Sequence, residues 1–166
     1  MIIFDFDQTL VDTRPVEALR AARRWREVMA QTPRLRVYDG IDGLLQKLHE
    51  RGQTLAIFTT SPDMVPKSFI KQRKWPIDIV VGYHQVRNRK PHPEGLLLAM
   101  SRAAASPEDT IHIGDQPEDT EASRAAGVLA IGSAWGIDDA AALEASKPDR
   151  IFRTVDMLET FLLQNL

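Results

Sequence analysis

Ile2-Ile3-Phe4-Asp5-Phe6-Asp7-Gln8-Thr9 is the stretch that decides the fold. Its apolar residues do not alternate with polar ones, which is typical of a short strand buried on both faces of a parallel sheet. The two-residue period of a strand places Asp5 and Asp7 on one side and Phe4 and Phe6 on the other. The stretch therefore predicts two carboxylates that share a small space at the end of a buried strand.

In the rest of the chain, short apolar runs alternate with helical patterns, and this alternation is typical of a parallel sheet covered by helices. The predicted strands are residues 2–4, 55–58, 79–81, 111–113, 128–131 and 151–152. The predicted helices are residues 41–51, 93–104, 120–126, 140–145 and 154–163. We expect an α/β fold, a three-layer α/β/α sandwich with a central parallel sheet.

Composition and charge fit one globular domain over residues 1–166, with 43% hydrophobic and 27% charged residues. The net charge of −2 argues against a nucleic-acid partner, since phosphate backbones are bound mainly by excess Lys and Arg. The chain has no Cys, which excludes disulfides and thiol chemistry. It shows neither a signal peptide nor an apolar run of roughly 20 residues, so we expect a cytoplasmic protein that does not contact membranes. Its oligomeric state is left open.

Residues 11–39 interrupt the alternation with a segment that has room for one or two helices, and we expect a small helical insertion there. Pro15 suits the first turn of a helix. The segment is also the most basic part of the chain, with Arg14, Arg20, Arg23, Arg24, Arg26, Arg34 and Arg36. Two interpretations stay open, namely an electropositive rim that attracts a phosphorylated substrate and a solvated helix face.

Polar side chains follow three of the predicted strands where each strand ends. Asp5 follows the first, Thr59 the second and Asp115 the fourth. Ligands of parallel sheets bind outside the carboxyl ends of the strands, so we expect one cleft to contain all three. An acid pair such as Asp5 and Asp7 can bind a metal, supply a nucleophile, or divide into an ionised nucleophile and a protonated partner. An isolated pair of this kind more often has no functional role and only terminates a strand.

Four motifs in order resemble those of the haloacid dehalogenase-like phosphatases. The first motif, D-x-D-x-T, matches Asp5 to Thr9, and the second, a strand that ends in Thr or Ser, matches Thr59. The third is Lys90, and the fourth, G-D-x-x-x-D, matches Gly114 to Asp119. The resemblance covers residues 1 to about 136 and is nearest to phosphoglycolate phosphatase-like members with a short cap. It implies that residues 11–39 form this cap, and it implies the sheet order 5-4-1-2-3.

The resemblance also implies roles for these residues. Asp5 would attack phosphorus, and Asp7 would protonate the leaving oxygen and then deprotonate the attacking water. Mg²⁺ would bind Asp5, the backbone carbonyl of Asp7, and Asp115.

Thr59 and Lys90 would hold the phosphoryl oxygens, with Thr60 and Ser61 as competitors for the place of Thr59. Asp119 would either touch metal-bound water or orient Lys90.

The implied function is Mg²⁺-dependent hydrolysis of a small phosphorylated substrate. Related alternatives are a phosphomutase, which the small cap disfavours, and a dehalogenase, which needs no general acid at Asp7. A catalytically idle scaffold that binds a phosphorylated partner is the alternative from a different class. Gln8 replaces the family's usual Gly, so the turn after Asp7 must accept a side chain. The substrate itself is left open among phosphoglycolate, sugar phosphates, nucleotides and phosphorylated macromolecules.

Overall fold

The computed structural model describes all 166 residues and contains one six-stranded parallel sheet and one small antiparallel pair. The strands are β1 Ile2–Phe4, β2 Val11–Asp12, β3 Arg36–Val37, β4 Leu55–Phe58, β5 Ile79–Val81, β6 Ile111–Gly114, β7 Leu129–Ser133 and β8 Arg150–Phe152. The large sheet has the order β5-β4-β1-β6-β7-β8. Numbered one to six along the chain and read from β8, the strands of this sheet have the order 6-5-4-1-2-3. The expected order 5-4-1-2-3 is therefore present, and β8 is added as a sixth strand beside the fifth.

Helices cover both faces of this sheet. They are α1 Glu17–Ala21, α2 Trp25–Gln31, α3 Ile41–Glu50, α4 Met64–Arg73, α5 Glu94–Ala103, α6 Pro117–Ala126, α7 Ala141–Ala145 and α8 Val155–Asn165. On one face, Ile2 and Phe4 pack with buried residues of α3, α4 and α8. On the other face, Ile3 packs with buried residues of α5 and α6. The three-layer α/β/α architecture predicted from the sequence is therefore confirmed.

Two helical segments differ from the prediction. The helix α4 was not predicted, because its buried residues Val65, Pro66 and Phe69 are interspersed with cationic residues and include a proline. Pro66 lies in the first helical turn, where its missing N–H has no partner within the helix in any case. The helix α6 begins at Pro117 rather than at residue 120, since proline is preorganised for the first helical position. No helix of the chain is both long enough and apolar enough to cross a bilayer.

The insertion, residues 11–39, leaves the sheet after β1 and returns to it before α3. Its ends are joined by the antiparallel pair of β2 and β3, in which Val11 lies opposite Val37. Between them lie the two short helices α1 and α2, and Val28 of α2 is fully buried in the larger apolar core. Isolated helices of this length are not stable in water, so burial of such side chains must hold the insertion in place.

Candidate active site

Asp5 lies at the centre of the sheet because β1 pairs with β4 on one side and with β6 on the other. Its backbone N–H donates to the carbonyl of Ile113 at 2.7 Å, which fixes the chain just after the strand ends. The carboxylate is buried, and its Oδ1 accepts a hydrogen bond from Lys90 Nζ at 2.6 Å. Burial raises the pKa of Asp5 well above its ordinary value, although Lys90 opposes that shift.

Lys90 connects the first and fourth motifs. Its ammonium lies 2.6 Å from Asp5 Oδ1 and 2.7 Å from Asp119 Oδ1, and it also donates to the carbonyl of Phe58 at 2.9 Å. Burial disfavours its charged form, but the two carboxylates outweigh this effect and raise the pKa of Lys90. The residue is therefore a permanent cation between two acids.

Asp5, Asp115 and Asp119 form a compact cluster in which each offers a carboxylate oxygen, all within 4.8 Å of one another. Burial, followed by the charge of Asp119, raises the pKa of Asp115 to about 7. The single cation Lys90 thus does not neutralise the three acids. Buried oxygen ligands with uncompensated negative charge suit a hard divalent cation, so this donor set fits a metal of that class.

Asp119 is held in place by its backbone surroundings. Asp119 lies in the first turn of α6, and its Oδ2 accepts a hydrogen bond at 3.1 Å from the backbone N–H of Gln116, the residue before the helix. The ion pair with Lys90 outweighs burial and lowers its pKa. A Cβ at position 114 would lie 2.3 Å from Asp119 Cγ, which explains why Gly114 precedes Asp115 in this motif. Glycine is required there by close approach of a side chain.

The Asp7 carboxylate lies apart from the acid cluster and faces the insertion. It accepts from Thr13 Oγ1 at 2.8 Å and from Ser61 Oγ at 3.1 Å. Arg20 Nη2 of α1 forms an ion pair with Asp7 Oδ2 at 2.7 Å. The insertion therefore contacts the second acid of the first motif directly.

Thr59, Thr60 and Ser61 occupy different positions after β4. The hydroxyl of Thr59 is buried and donates to Asp7 Oδ2 at 3.3 Å, while the backbone N–H of Ser61 donates to it at 3.0 Å. Thr60 is exposed and lines the cleft in front of the acids, whereas Thr59 does not. In this geometry Thr60, rather than Thr59, faces the space in which a ligand would lie.

The cleft has a volume of about 380 Å³ and contains no hydrophobic residue in its lining. Its lining consists of Asp5, Asp7, Gln8, Glu17, Arg20, Thr60, Lys90, Asp115, Gln116, Glu118 and Asp119. The structure thus brings all the acids expected from the four motifs, together with Lys90, to one place at the carboxyl edge of the sheet.

Five of these lining residues were not assigned to the site from the sequence, namely Gln8, Glu17, Arg20, Gln116 and Glu118. Among the seven arginines of the insertion only Arg20 lines the cleft, and the other six are exposed. Glu17 lies one turn before Arg20 on the same helix, and Glu118 lies in the first turn of α6, between Asp115 and Asp119. The position of Glu118 within the fourth motif was the available signal, whereas Glu17 and Arg20 depend on how the insertion folds back.

Comparison with known proteins places the chain among hydrolases and phosphatases by sequence similarity. The family model described as haloacid dehalogenase-like hydrolase matches residues 16–133, a span that contains Lys90, Asp115 and Asp119. A probable phosphatase, IndB, of Dickeya dadantii is 37% identical over 77% of this chain and 56% of its own length. A phosphoglycolate phosphatase of Salmonella typhimurium is 34% identical over 65% of this chain and 44% of its own length. The chain thus spans about half the length of these curated relatives.

Solved structures share the fold at lower sequence identity. A hydrolase from Pseudomonas syringae superposes with a TM-score of 0.82 at 21% identity, covering 99% of this chain and 98% of the other. A protein provisionally assigned as a beta-phosphoglucomutase from Thermotoga maritima gives a TM-score of 0.84 at 20% identity, covering 99% of both chains. At these identities the likeness establishes the fold alone.

Proposed function

Because the chain belongs to the haloacid dehalogenase-like hydrolases, we propose that it is a Mg²⁺-dependent phosphatase that hydrolyses a small phosphate monoester. The observation that carries the proposal is the contact of buried Asp5 with Lys90 at 2.6 Å, on the wall of a polar cleft that also contains Asp115 and Asp119. A nucleophile, a cation for the transferring group and a set of metal ligands are the parts that phosphoryl transfer needs. The phosphatase names of the curated relatives support the same reaction.

In the proposed reaction, a carboxylate oxygen of Asp5 forms a bond to phosphorus while the bond to the leaving alcohol breaks. Asp7 donates a proton to the leaving oxygen, and then removes a proton from the water that hydrolyses the aspartyl phosphate. The Asp7 carboxylate accepts hydrogen bonds from Thr13 and Ser61 and pairs with Arg20, whereas Asp5 pairs with Lys90. These different partners support the assignment of different roles to the two acids.

The metal would be held by Asp5, Asp115 and the backbone carbonyl of Asp7, and Asp119 lies close enough to orient Lys90 or to share in the site. When bound, Mg²⁺ supplies positive charge that offsets the charge developing on the phosphoryl oxygens. Lys90 adds a cation beside Asp5, and Thr60, which lines the cleft, would donate to a phosphoryl oxygen in the role first expected of Thr59. Residues 11–39 would act as a short cap that contributes Glu17 and Arg20.

The test is release of inorganic phosphate from p-nitrophenyl phosphate by the purified protein, with Mg²⁺ and after chelation. We expect activity with Mg²⁺, its loss on chelation, and its loss in Asp5→Asn, because an amide is a very poor nucleophile. Asp78→Asn, which removes a carboxylate from an exposed position outside the cleft, is the matched control and should keep wild-type activity. Full activity in metal-free buffer, or in Asp5→Asn, would contradict the proposal.

The same assay separates the alternatives. An idle scaffold would bind phosphorylated ligands but release no phosphate. A phosphomutase would isomerise a sugar phosphate with little net release, because its aspartyl phosphate transfers the phosphoryl group to another hydroxyl rather than to water.

A further inference from the structure

Resting on the proposed phosphatase activity, we infer that the substrate is a phosphate ester of a neutral, polyhydroxylated alcohol. We further infer that Glu17 and Glu118 act against esters whose alcohol carries a carboxylate. The phosphoryl group is assigned to the cluster of Asp5, Lys90 and Asp115, so the remaining lining must contact the alcohol.

The lining beyond that cluster consists of polar and charged residues. Pockets for small molecules are usually lined mostly by hydrophobic and aromatic side chains. Here Gln8 and Gln116 supply amide groups, and no hydrophobic residue lines the cleft. An aromatic base or an acyl chain would find no hydrophobic side chain to pack against, whereas hydroxyl groups would find both donors and acceptors.

The cleft also has no free cation for a carboxylate on the alcohol. Its only cationic residues are Lys90, which lies between Asp5 and Asp119, and Arg20. The Arg20 guanidinium is already paired with Asp7 at 2.7 Å and with Glu17 at 2.6 Å, and it donates to Ser61 Oγ at 3.3 Å. Its charge is therefore offset before any substrate enters.

The charges that remain in the outer cleft are negative. Besides Asp7, which carries a proton in the proposed reaction, Glu17 and Glu118 contribute two carboxylates against the single guanidinium of Arg20. Glu118 lies exposed in the first turn of α6, one residue before Asp119. A carboxylate on the alcohol of the substrate would be repelled by these glutamates. The cleft is partly enclosed, so this repulsion is screened less than it would be in open solvent.

Phosphoglycolate, the substrate in the names of several relatives, is disfavoured in this cleft. Phosphoglycolate carries a carboxylate one carbon from the phosphate ester oxygen. In this cleft that carboxylate would share the space with Glu17 and Glu118, with no free cation to receive it. A hydroxyl in the same place could donate to any of these carboxylates, which makes the same residues favourable to polyols.

The experiment compares two substrates that differ only in whether the alcohol carries a carboxylate. sn-Glycerol 3-phosphate and L-3-phosphoglycerate share the phosphate, the ester carbon and the configuration of the neighbouring hydroxyl, and they differ by a hydroxymethyl group in place of a carboxylate. We expect kcat/KM to favour glycerol 3-phosphate by about 10-fold, the size of effect that one like-charge contact produces in a partly solvated site. Each compound is also measured as a competitive inhibitor of p-nitrophenyl phosphate hydrolysis, so that a poorly turned-over ester still reports its affinity.

Glu118→Gln should raise kcat/KM for 3-phosphoglycerate about threefold or more and so reduce the preference. The matched control is Glu121→Gln, which removes the same charge from an exposed position of the same helix outside the cleft. It should leave the preference unchanged.

Equal or reversed preference in the wild-type protein would overturn the inference. So would an equal effect of Glu118→Gln and Glu121→Gln, or tighter inhibition by 3-phosphoglycerate when neither ester is hydrolysed. Failure of the proposed function looks different, because p-nitrophenyl phosphate would then show no hydrolysis that depends on Asp5.

Discussion

At the scale of single residues, Gln8 shows how a side chain can replace the glycine that a turn favours. It has a φ of 57°, in the left-handed region, and lies directly after Asp7. Its Nε2 donates to Thr13 Oγ1 at 3.1 Å, and its Oε1 accepts from the backbone N–H of Thr13 at 3.3 Å and from Tyr38 Oη at 3.4 Å. These contacts compensate for the backbone strain and tie the turn to the insertion.

We predict that Gln8→Ala is less stable than Gln8→Gly by about 1 kcal/mol, because both lose the side-chain contacts while only alanine keeps the left-handed strain. Urea denaturation of the two variants beside the wild-type protein measures this difference. An alanine variant as stable as the glycine variant would show that the left-handed backbone carries no cost here.

Asp115 leads to a prediction about pH. Burial and Asp119 raise its pKa to about 7 from the ordinary 3.8, so in the absence of metal the folded protein binds this proton more tightly than the unfolded chain does. Its contribution to stability is present at low pH and is lost as pH rises through about 7. A divalent cation competes with the proton for the same carboxylate, and its stabilising effect must therefore grow with pH.

We expect Mg²⁺ to raise the melting temperature more at pH 8 than at pH 5. The comparison with and without Mg²⁺ at each pH is needed because burial lowers the pKa of His112 to about 4, and this residue changes stability in the opposite direction over the same range. Asp115→Asn should lose most of the Mg²⁺ effect. If Mg²⁺ raised the melting temperature by the same amount at both pH values, the assignment of Asp115 as a metal ligand would be contradicted.

The sequence predicted the acids of the site better than it predicted their surroundings. Asp5 and Asp115 meet because the carboxyl ends of the adjacent strands β1 and β6 meet, and strand positions can be inferred from buried runs. Lys90 reaches them from the loop before α5 and was placed by its motif alone. The contact of Arg20 with Asp7 could not be inferred, since it depends on the path of a short insertion. The sequence also could not distinguish Thr59 from Thr60, because a shift of one residue at the end of the strand changes which hydroxyl faces the cleft.

At the scale of secondary structure, predictability follows the regularity of the apolar pattern. The strands of the large sheet are mostly apolar runs and were predicted within about two residues. The helix α4 was missed because cationic residues and a proline interrupt its buried positions, whereas α3 buries Ile41, Leu44, Leu45 and Leu48 on one face. β2 and β3 were also missed, since pairs of two-residue strands leave no periodic pattern in a sequence.

The helix α2 provides a test of how the insertion is held. Val28 is its only buried residue and is 0% exposed. We predict that Val28→Ala destabilises the protein by about 1–2 kcal/mol through the cavity that it leaves. Arg26→Ala, which changes an exposed residue of the same helix, should alter stability by less than about 0.5 kcal/mol. Thermal or urea unfolding of both variants decides the matter, and equal effects would mean that the insertion does not depend on this packing.

At the scale of the whole molecule, the short insertion leaves the cleft accessible. Of its residues only Glu17 and Arg20 line the cleft, and the other lining residues come from the turn after β1 and from the loops and helix starts that follow the sheet. In the proposed reaction, selectivity would therefore come from charge and hydrogen bonding in the cleft.

The central claim is that Asp5 carries the phosphoryl group while Asp7 moves protons, and one measurement tests it most directly. Asp7→Asn keeps the nucleophile but removes the acid and base, which should reduce turnover by roughly 10² to 10⁴-fold. With p-nitrophenyl phosphate, whose leaving group needs little protonation, the first step should survive better than hydrolysis of the intermediate. Intact-protein mass spectrometry after rapid quenching, followed by peptide mapping, should then find phosphate accumulated on Asp5. Wild-type turnover in Asp7→Asn, or phosphate on any other residue, would contradict the account.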